Sequence, residues 1–343
     1  MTWLASSGEL TSGVKKPMNE RDLQTRQDEE SVTAVQTNYA ENLQGVERTL
    51  LEYYGLNEQP FGVTPDARFL YLGAKHGQAL AALVYGTETN RGFLTLIAQP
   101  GMGKTSLLFQ YLEGLRNKAR TVYLFQTDSD SRDLMSYLLA DLGLNGAGKA
   151  LPEMHAILTK VLVEEMRAGR RFVLIIDEAQ NLSERVLEFV RLLSNFETPW
   201  MKLMQIVIAG QPQLADRLTT PSMVQFRQRI SFVIRIEPFT CEEVNAYIDH
   251  RLWVAGYKGP SLFSVGARLR IAEYSEGIPR KINTICFNAL SLAWALKQKS
   301  IDRDTVRDVL DDLELRSPNG MQAVASKSQE VPEDGLSRTL RVT

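Results

Sequence analysis

The sequence predicts an α/β fold: a parallel sheet covered on both faces by helices, followed by a smaller domain of helices alone. Three observations predict it. Five short apolar runs, rich in β-branched and aromatic residues, read as strands at Phe93 to Ala98, Thr121 to Gln126, Phe172 to Asp177, Gln205 to Gly210 and Phe232 to Glu237. Helical patterns fill the gaps between them, which is the alternation a parallel sheet requires. After Pro238 the alternation stops, and Cys241 to Val254, Leu262 to Tyr274, Arg280 to Leu296 and Asp302 to Leu313 all carry helical periodicity.

Taken in order, the chain opens with an extension over residues 1–51. Up to about residue 31 it is rich in Ser, Thr, Gln, Asp and Glu and has too little apolar surface to offset the entropy of ordering. From Val32 an apolar stripe runs through Val35, Tyr39, Leu43, Val46 and Leu50, which predicts an amphipathic helix, either docked on the core or free to bind a partner. The prolines and glycine of Pro60-Phe61-Gly62-Val63-Thr64-Pro65-Asp66 predict an ordered loop. Residues 52–238 then form the sheet-bearing core and residues 239–316 the helical domain, and the polar stretch 317–343 is expected to be a disordered tail.

Bulk composition excludes several classes. With 343 residues, 44% hydrophobic and 23% charged, the chain has the make-up of a globular protein of two domains. A formal net charge of −2 gives no global electrostatic case for nucleic acid, although Arg268, Arg270, Arg280 and Lys281 offer a thin basic patch. Cys241 and Cys286 have no partner at metal-ligand spacing and read as small core residues, and His76, His155 and His250 are scattered. The N-terminus lacks the basic start and apolar run of a signal peptide, and no stretch reaches the roughly 18 to 20 apolar residues of a spanning helix, so the expected location is cytoplasmic.

The chemistry concentrates in two segments. Ala98-Gln99-Pro100-Gly101-Met102-Gly103-Lys104-Thr105-Ser106 follows a strand and precedes a helix, the setting of a phosphate-binding loop. Glycines there let successive backbone N–H groups face phosphate oxygens, and the helix N-terminus adds partial positive charge. Lys104 supplies a point charge for the β and γ phosphates of ATP, and the Thr105 hydroxyl a ligand for Mg²⁺. Ala98 stands where the usual pattern has its first glycine. The second segment, Phe172-Val173-Leu174-Ile175-Ile176-Asp177-Glu178, delivers two carboxylates to the end of a buried strand, where ligands of open α/β sheets bind. Asp177 is placed to hold Mg²⁺ through water and Glu178 to polarise the attacking water; the alternative is a capping pair opening the next helix.

Three further positions complete the set. Gln211, at the end of the fourth strand, is placed to orient the attacking water, or is a turn residue ahead of Pro212. Arg227 and Arg229 lie just before the fifth strand, at a helix end that in ring-forming ATPases faces the neighbouring subunit's nucleotide; either is a candidate arginine finger, or the two are solvated charges closing a helix. Arg280 follows Pro279 at a helix start and can reach back to the phosphates, or is a surface arginine.

Together these features resemble the AAA+ ATPases, which implies a P-loop NTPase sheet with a helical lid. Tyr53-Tyr54-Gly55-Leu56, Pro60-Phe61, Thr64-Pro65-Asp66, Phe69-Leu70-Tyr71-Leu72, His76, Asp177-Glu178-Ala179-Gln180-Asn181-Leu182, Leu193-Ser194-Asn195-Phe196-Glu197-Thr198, Gly210-Gln211-Pro212 and Gln228-Arg229-Ile230 are similar to the general secretion pathway protein A (ExeA) type, over roughly residues 52–315. The resemblance implies Tyr71 and His76 as contacts to adenine, ATP hydrolysis in a homo-oligomer with its nucleotide at the subunit interface, and a protein partner in a secretion or envelope system. Helper ATPases of transposition, of the TnsC and TniB type, share the core, so a DNA-bound helper is the alternative. A nucleotide-binding scaffold without turnover is disfavoured by the presence of Glu178.

Overall fold

The structure, a computed structural model, describes residues 48–62, 64, 66–90, 92–125 and 130–315. The expected tails, the apolar stripe before Arg48, and Val63, Pro65 and Gln126 lie outside the described residues. The chain divides into two compact units, 1–53 and 54–343. In the first, the described residues 48–53 are helical; the second carries the sheet.

Five parallel strands make one sheet: β1 (Phe93–Ile97), β2 (Ala119–Phe125), β3 (Arg171–Asp177), β4 (Gln205–Gly210) and β5 (Ile230–Arg235), in spatial order β2-β3-β4-β1-β5. This order explains the burial of each run. β1 and β4 are buried at every residue and β3 at all but its first, because they have neighbours on both sides and helices on both faces, whereas edge strands β2 and β5 alternate or nearly so. β5 begins two residues earlier than the sequence predicts, since Ile230 joins the ladder opposite Phe93 before a register irregularity.

Helices alternate with the strands: α1 (Ala74–Glu88), α2 (Lys104–Gly114), α3 (Ser131–Asp141), α4 (Leu151–Arg167), α5 (Glu184–Leu193), α6 (Pro212–Leu218) and the single turn α7 (Val224–Arg227). On one face Phe93, Leu174, Ile176, Ile206 and Ile208 pack with apolar residues of α3, α4 and α5. On the other, Leu94, Leu96, Val173, Ile175 and Val207 pack with Leu83 of α1 and Leu107, Leu108 and Tyr111 of α2. The odd–even division is the period-two geometry of a strand.

Beyond Pro238 the elements among the described residues are four helices, α8 (Cys241–Val254), α9 (Val265–Ser275), α10 (Pro279–Ala295) and α11 (Arg303–Leu315), with one isolated bridge. We propose the boundary between core and helical domain at this change. α9 starts three residues later than its periodicity suggests, because Phe263 is drawn into a bridge with Ile301 and Ser264 caps the helix by accepting from the Ala267 N–H. Cys286 is buried as expected, whereas Cys241 is exposed at the first position of α8, where only the inward face of the helix reaches the core.

One carboxylate ties this region to the core. Glu243 accepts from Thr240 N at 3.0 Å, forming a capping box at the start of α8, and its other oxygen accepts from Ala74 N at 2.7 Å, at the start of α1. The N-cap of α1 is Gly73, which has no side chain to do this, and a Cβ there would lie 2.8 Å from that same oxygen. Glu243→Ala should therefore leave the Ala74 and Thr240 N–H groups without their carboxylate acceptor, while the Thr240 hydroxyl still caps α8 through the backbone N–H of residue 243, and destabilise the protein by about 1–2 kcal/mol, on the scale of one lost cap. A urea midpoint unchanged from the parent protein would show that water replaces both bonds.

Candidate functional site

Parallel pairing aligns the C-terminal ends of β3, β4 and β1 side by side, with Ile97 opposite Gly210 and Ile176 opposite Ile208. A cavity of about 520 Å³ opens at these ends. Ala98–Ser106 lines one wall. Gly101 and Gly103 both have φ +81°, in the left-handed region. Gly103 is the N-cap of α2, so no side chain occupies the free N–H groups of the first turn, and they remain available to an anion. Gly101 meets a second demand. A Cβ on it would lie 2.7 Å from the Cβ of Arg280, because the N-terminus of α10 packs against the loop and Arg280 N donates to Gly101 O at 3.1 Å.

Lys104 and Thr105 open α2 and face the acids that close β3. The Lys104 ammonium lies 2.8 Å from Asp177 Oδ1 and 2.6 Å from Glu178 Oε1, and Thr105 Oγ1 donates to Asp177 Oδ2 at 3.2 Å. Asp177 is 1% exposed and also accepts from the Tyr123 hydroxyl at 2.7 Å. Burial and the Asp177 charge push the Tyr123 phenol up, so it remains a proton donor. Glu178 holds φ +52°, uncommon for a residue with a Cβ. It does not cap the following turn through its side chain. That side chain turns back to Lys104 instead, and accepts from Gln180 Nε2 at 2.6 Å and Gln211 Nε2 at 3.2 Å. Burial opposes its ionisation, but the Lys104 ammonium and the two amides outweigh burial and hold the carboxyl below its usual range.

Gln211 thus does two things: it occupies the N-cap position ahead of Pro212, and its amide reaches Glu178. Gln180, which in the sequence is only one residue of the motif after Asp177 with no role of its own, fixes both partners, since its Oε1 accepts from Gln211 N at 3.0 Å while its Nε2 holds Glu178. Tyr123 is equally silent in the sequence, an inward residue of an edge strand.

The far wall is aromatic. Tyr71 and His76 both line the cavity, packed on Phe239 with ring centroids 5.6 Å and 4.7 Å away. His76 is 1% exposed, and its Nε2 donates to Met102 O at 2.9 Å, so it props the phosphate loop from behind. Burial pushes this imidazole down, which keeps it neutral at pH 7. Phe239, Tyr247, Arg251 and Asn283 join this wall. Sequence reasoning missed them because Tyr247, Arg251 and Asn283 come from segments that read only as amphipathic and Phe239 from the short link after Pro238. Arg280 lines the cavity, whereas Arg227 and Arg229 do not. Arg229 O accepts from Phe93 N at the opposite end of β1, a five-residue strand of about 16 Å from the loop. Among the described residues no helix is long and apolar enough to cross a membrane.

The AAA domain family matches residues 87–218. General secretion pathway protein A of Aeromonas hydrophila is 37% identical over 247 residues, 71% of this chain and 45% of that protein, so the chain spans less than half the length of this relative. Among solved structures, Cdc6p of Pyrobaculum aerophilum superposes with a TM-score of 0.56 at 19% identity, covering 73% of this chain and 69% of that one. ORC2 of Aeropyrum pernix, in ADPNP and ADP complexes, superposes with 0.54 at 14% identity, covering 74% and 71%. At these identities the two structures show the fold.

The depressed Glu178 carboxyl makes a pH prediction. A group held below its unfolded value adds stability above about pH 4.3, and that stability is lost as pH falls through the folded value. Lys104→Met removes the principal attraction. The stability gap between parent and variant, measured by urea titration without nucleotide, should shrink from about pH 6 to about pH 3.5. A gap independent of pH would mean that the contact contributes nothing to folding.

Proposed function

We propose that this chain is an AAA-type P-loop ATPase that binds ATP with Mg²⁺ and hydrolyses it as a homo-oligomer, driving a protein partner of a secretion or envelope system; the AAA domain match over residues 87–218 and the 37% identity to general secretion pathway protein A support the reading. The observation that carries this is the convergence of Lys104 and Thr105 on Asp177 and Glu178. An ammonium between two carboxylates can be drawn off only by a ligand that brings its own negative charge. A triphosphate does so, and the uncapped N–H groups of α2 bind its oxygens as Lys104 swings to the β and γ phosphates.

The donors suit Mg²⁺, since the Thr105 hydroxyl and the Asp177 carboxylate are hard oxygen ligands. When bound, Mg²⁺ supplies charge neutralisation at the β and γ oxygens. Glu178, released from Lys104, is then the base that takes a proton from the attacking water, steadied by Gln180 and Gln211. Gln211 also orients that water, and Arg280 reaches the phosphates from the helical wall. Tyr71 and the aromatic wall take the base. Hydrolysis thereby alters both walls of the cleft, which is how nucleotide state reaches a partner.

The thin basic patch that a DNA-bound helper would need is largely paired with local carboxylates. Arg268 pairs with Asp249, Arg270 with Glu273 and Lys281 with Glu276, and Arg280 faces the cavity. These pairs leave the patch little uncompensated positive charge for a DNA backbone.

Glu178→Gln should bind ATP as tightly as the parent, because the amide keeps its shape and one competitor for Lys104 is gone, yet lose about 10²- to 10⁴-fold in turnover. Equilibrium binding with single-turnover rates checks this, and an unchanged rate moves the base elsewhere.

Arg229 lies about a strand length from the phosphate loop and Arg227 is likewise outside the cavity, so we infer that one of the two acts in trans. Turnover per subunit should rise with protein concentration, since such a finger contributes about 10³ to 10⁵ in rate. Mixing Lys104→Ala subunits with Arg227→Ala/Arg229→Ala subunits should restore activity that neither has alone. Co-assembly without rescue would make the arginines structural.

A further inference from the structure

The far wall of the cleft holds a polar chain that no phosphate chemistry uses. Arg251 is 7% exposed, and its guanidinium lies 4.8 Å from the centroid of the Phe69 ring. Its Nε donates to Pro60 O, its Nη2 to Gly62 O at 3.4 Å and its Nη1 to the Tyr247 hydroxyl at 2.9 Å. That hydroxyl is in turn 2.8 Å from the side-chain amide of Asn283, a residue 7% exposed that lines the cavity.

The direction of this chain is fixed by donor counting. Arginine has no acceptor, so the Tyr247 oxygen accepts from Arg251 and has one proton left to give. Burial pushes the Tyr247 phenol up, so the proton stays on it. If the Asn283 NH₂ faced Tyr247 instead, the phenolic proton would be left without an acceptor in a buried site, at a cost of about 1–3 kcal/mol. Oδ1 therefore faces Tyr247, and the Nδ2 amide, with its two donors, is held away from it. Asn283 lies one helical turn beyond Arg280 on α10, about 4.5 Å further along the axis from the phosphate loop.

We propose that Asn283 is a nucleobase-recognition residue: its Nδ2 donates to a ring-nitrogen acceptor of the purine, and Tyr247 and Arg251 are positioning residues that fix its orientation. The inference rests on the cleft binding ATP, as proposed above. It differs from the aromatic contacts in supplying direction, since a ring face accepts any base whereas a fixed donor pair selects an acceptor edge. The same relay reports on the loop at residues 60–62, whose carbonyls hold Arg251.

The test pairs analogues lacking one acceptor with variants lacking the donor. ATP, 7-deaza-ATP, 3-deaza-ATP and 1-deaza-ATP are titrated into the full-length protein with Mg²⁺, and inorganic tripolyphosphate serves as a ligand for the phosphate end alone. One analogue should bind the parent about five- to tenfold more weakly than ATP, a penalty of the size expected for one lost hydrogen bond. That penalty should vanish in Asn283→Ala and shrink in Tyr247→Phe, while tripolyphosphate binds both variants as it binds the parent. Equal affinity of the parent for ATP and all three analogues overturns the proposal, a result independent of whether any variant folds. A penalty that persists in Asn283→Ala overturns it too, as does a variant that loses tripolyphosphate along with ATP, which marks Asn283 as structural. If the parent binds no nucleotide, the ATPase reading itself fails, and this inference with it.

Discussion

The site is organised around the Lys104 ammonium and the two acids it touches. The lysine comes from the helix after β1 and the acids from the end of β3, and in the sheet β4 lies between those strands. Three chain segments far apart in sequence must therefore be in register for these contacts to form. Burial makes the arrangement demanding: removing one partner from a buried ion pair typically costs about 3–5 kcal/mol, because the remaining charge stays desolvated. The lysine and acids are thus held ready but not free. On the proposed reading, a ligand would compete by exchanging one set of negative charges for another, which would make selectivity for polyphosphates a consequence of electrostatics as well as of the loop's shape.

Around that contact, the amides form a supporting layer. Gln180 bonds Glu178 with one end and the Gln211 backbone with the other, so the end of β4 and the turn after β3 share one fixed side chain. Arg217 adds to this by donating to Gln180 O at 2.7 Å. The left-handed backbone at Glu178 makes sense in this setting. It re-aims the carboxylate from the helix it precedes toward the cleft, and the surrounding bonds over-determine a conformation that is costly alone.

How much of this is legible in the sequence depends on how local the signal is. The phosphate loop and the acids of β3 can be read directly, since strand, glycines, lysine and threonine are contiguous and the chemistry follows from spacing. Central and edge strands are also distinguishable in principle, as unbroken apolar runs against alternating ones. The start of β5 is not, because pairing opposite Phe93 recruits Ile230, a tertiary effect. Cys241 departs from expectation because residue type says nothing about which side of a helix it occupies. Tyr123, Phe239 and Asn283 leave no signal of their own, and Gln180 none beyond its place in the motif after Asp177: each is an ordinary residue of its segment, and its contacts arise only from what stands opposite once the sheet is ordered.

The contacts between the helices after Pro238 and the phosphate loop share one feature. Arg280 donates its backbone N–H to the carbonyl of Gly101, Glu243 accepts from the backbone of Ala74, and Phe239 packs at a tilt against His76, which itself bonds the Met102 carbonyl. In each case the helical region engages the main chain around the loop, or a side chain that does, and not the groups that carry the chemistry. Backbone position is what changes when a loop closes around phosphate, whereas side-chain identity is what the chemistry needs. On the proposed reading, the helices would sense occupancy chiefly through the main chain, with Arg280 the side chain that faces both the loop and the cavity, so coupling between nucleotide state and the helical region could be tuned at the contacts of α8 and α10 while Lys104, Asp177 and Glu178 stay as they are.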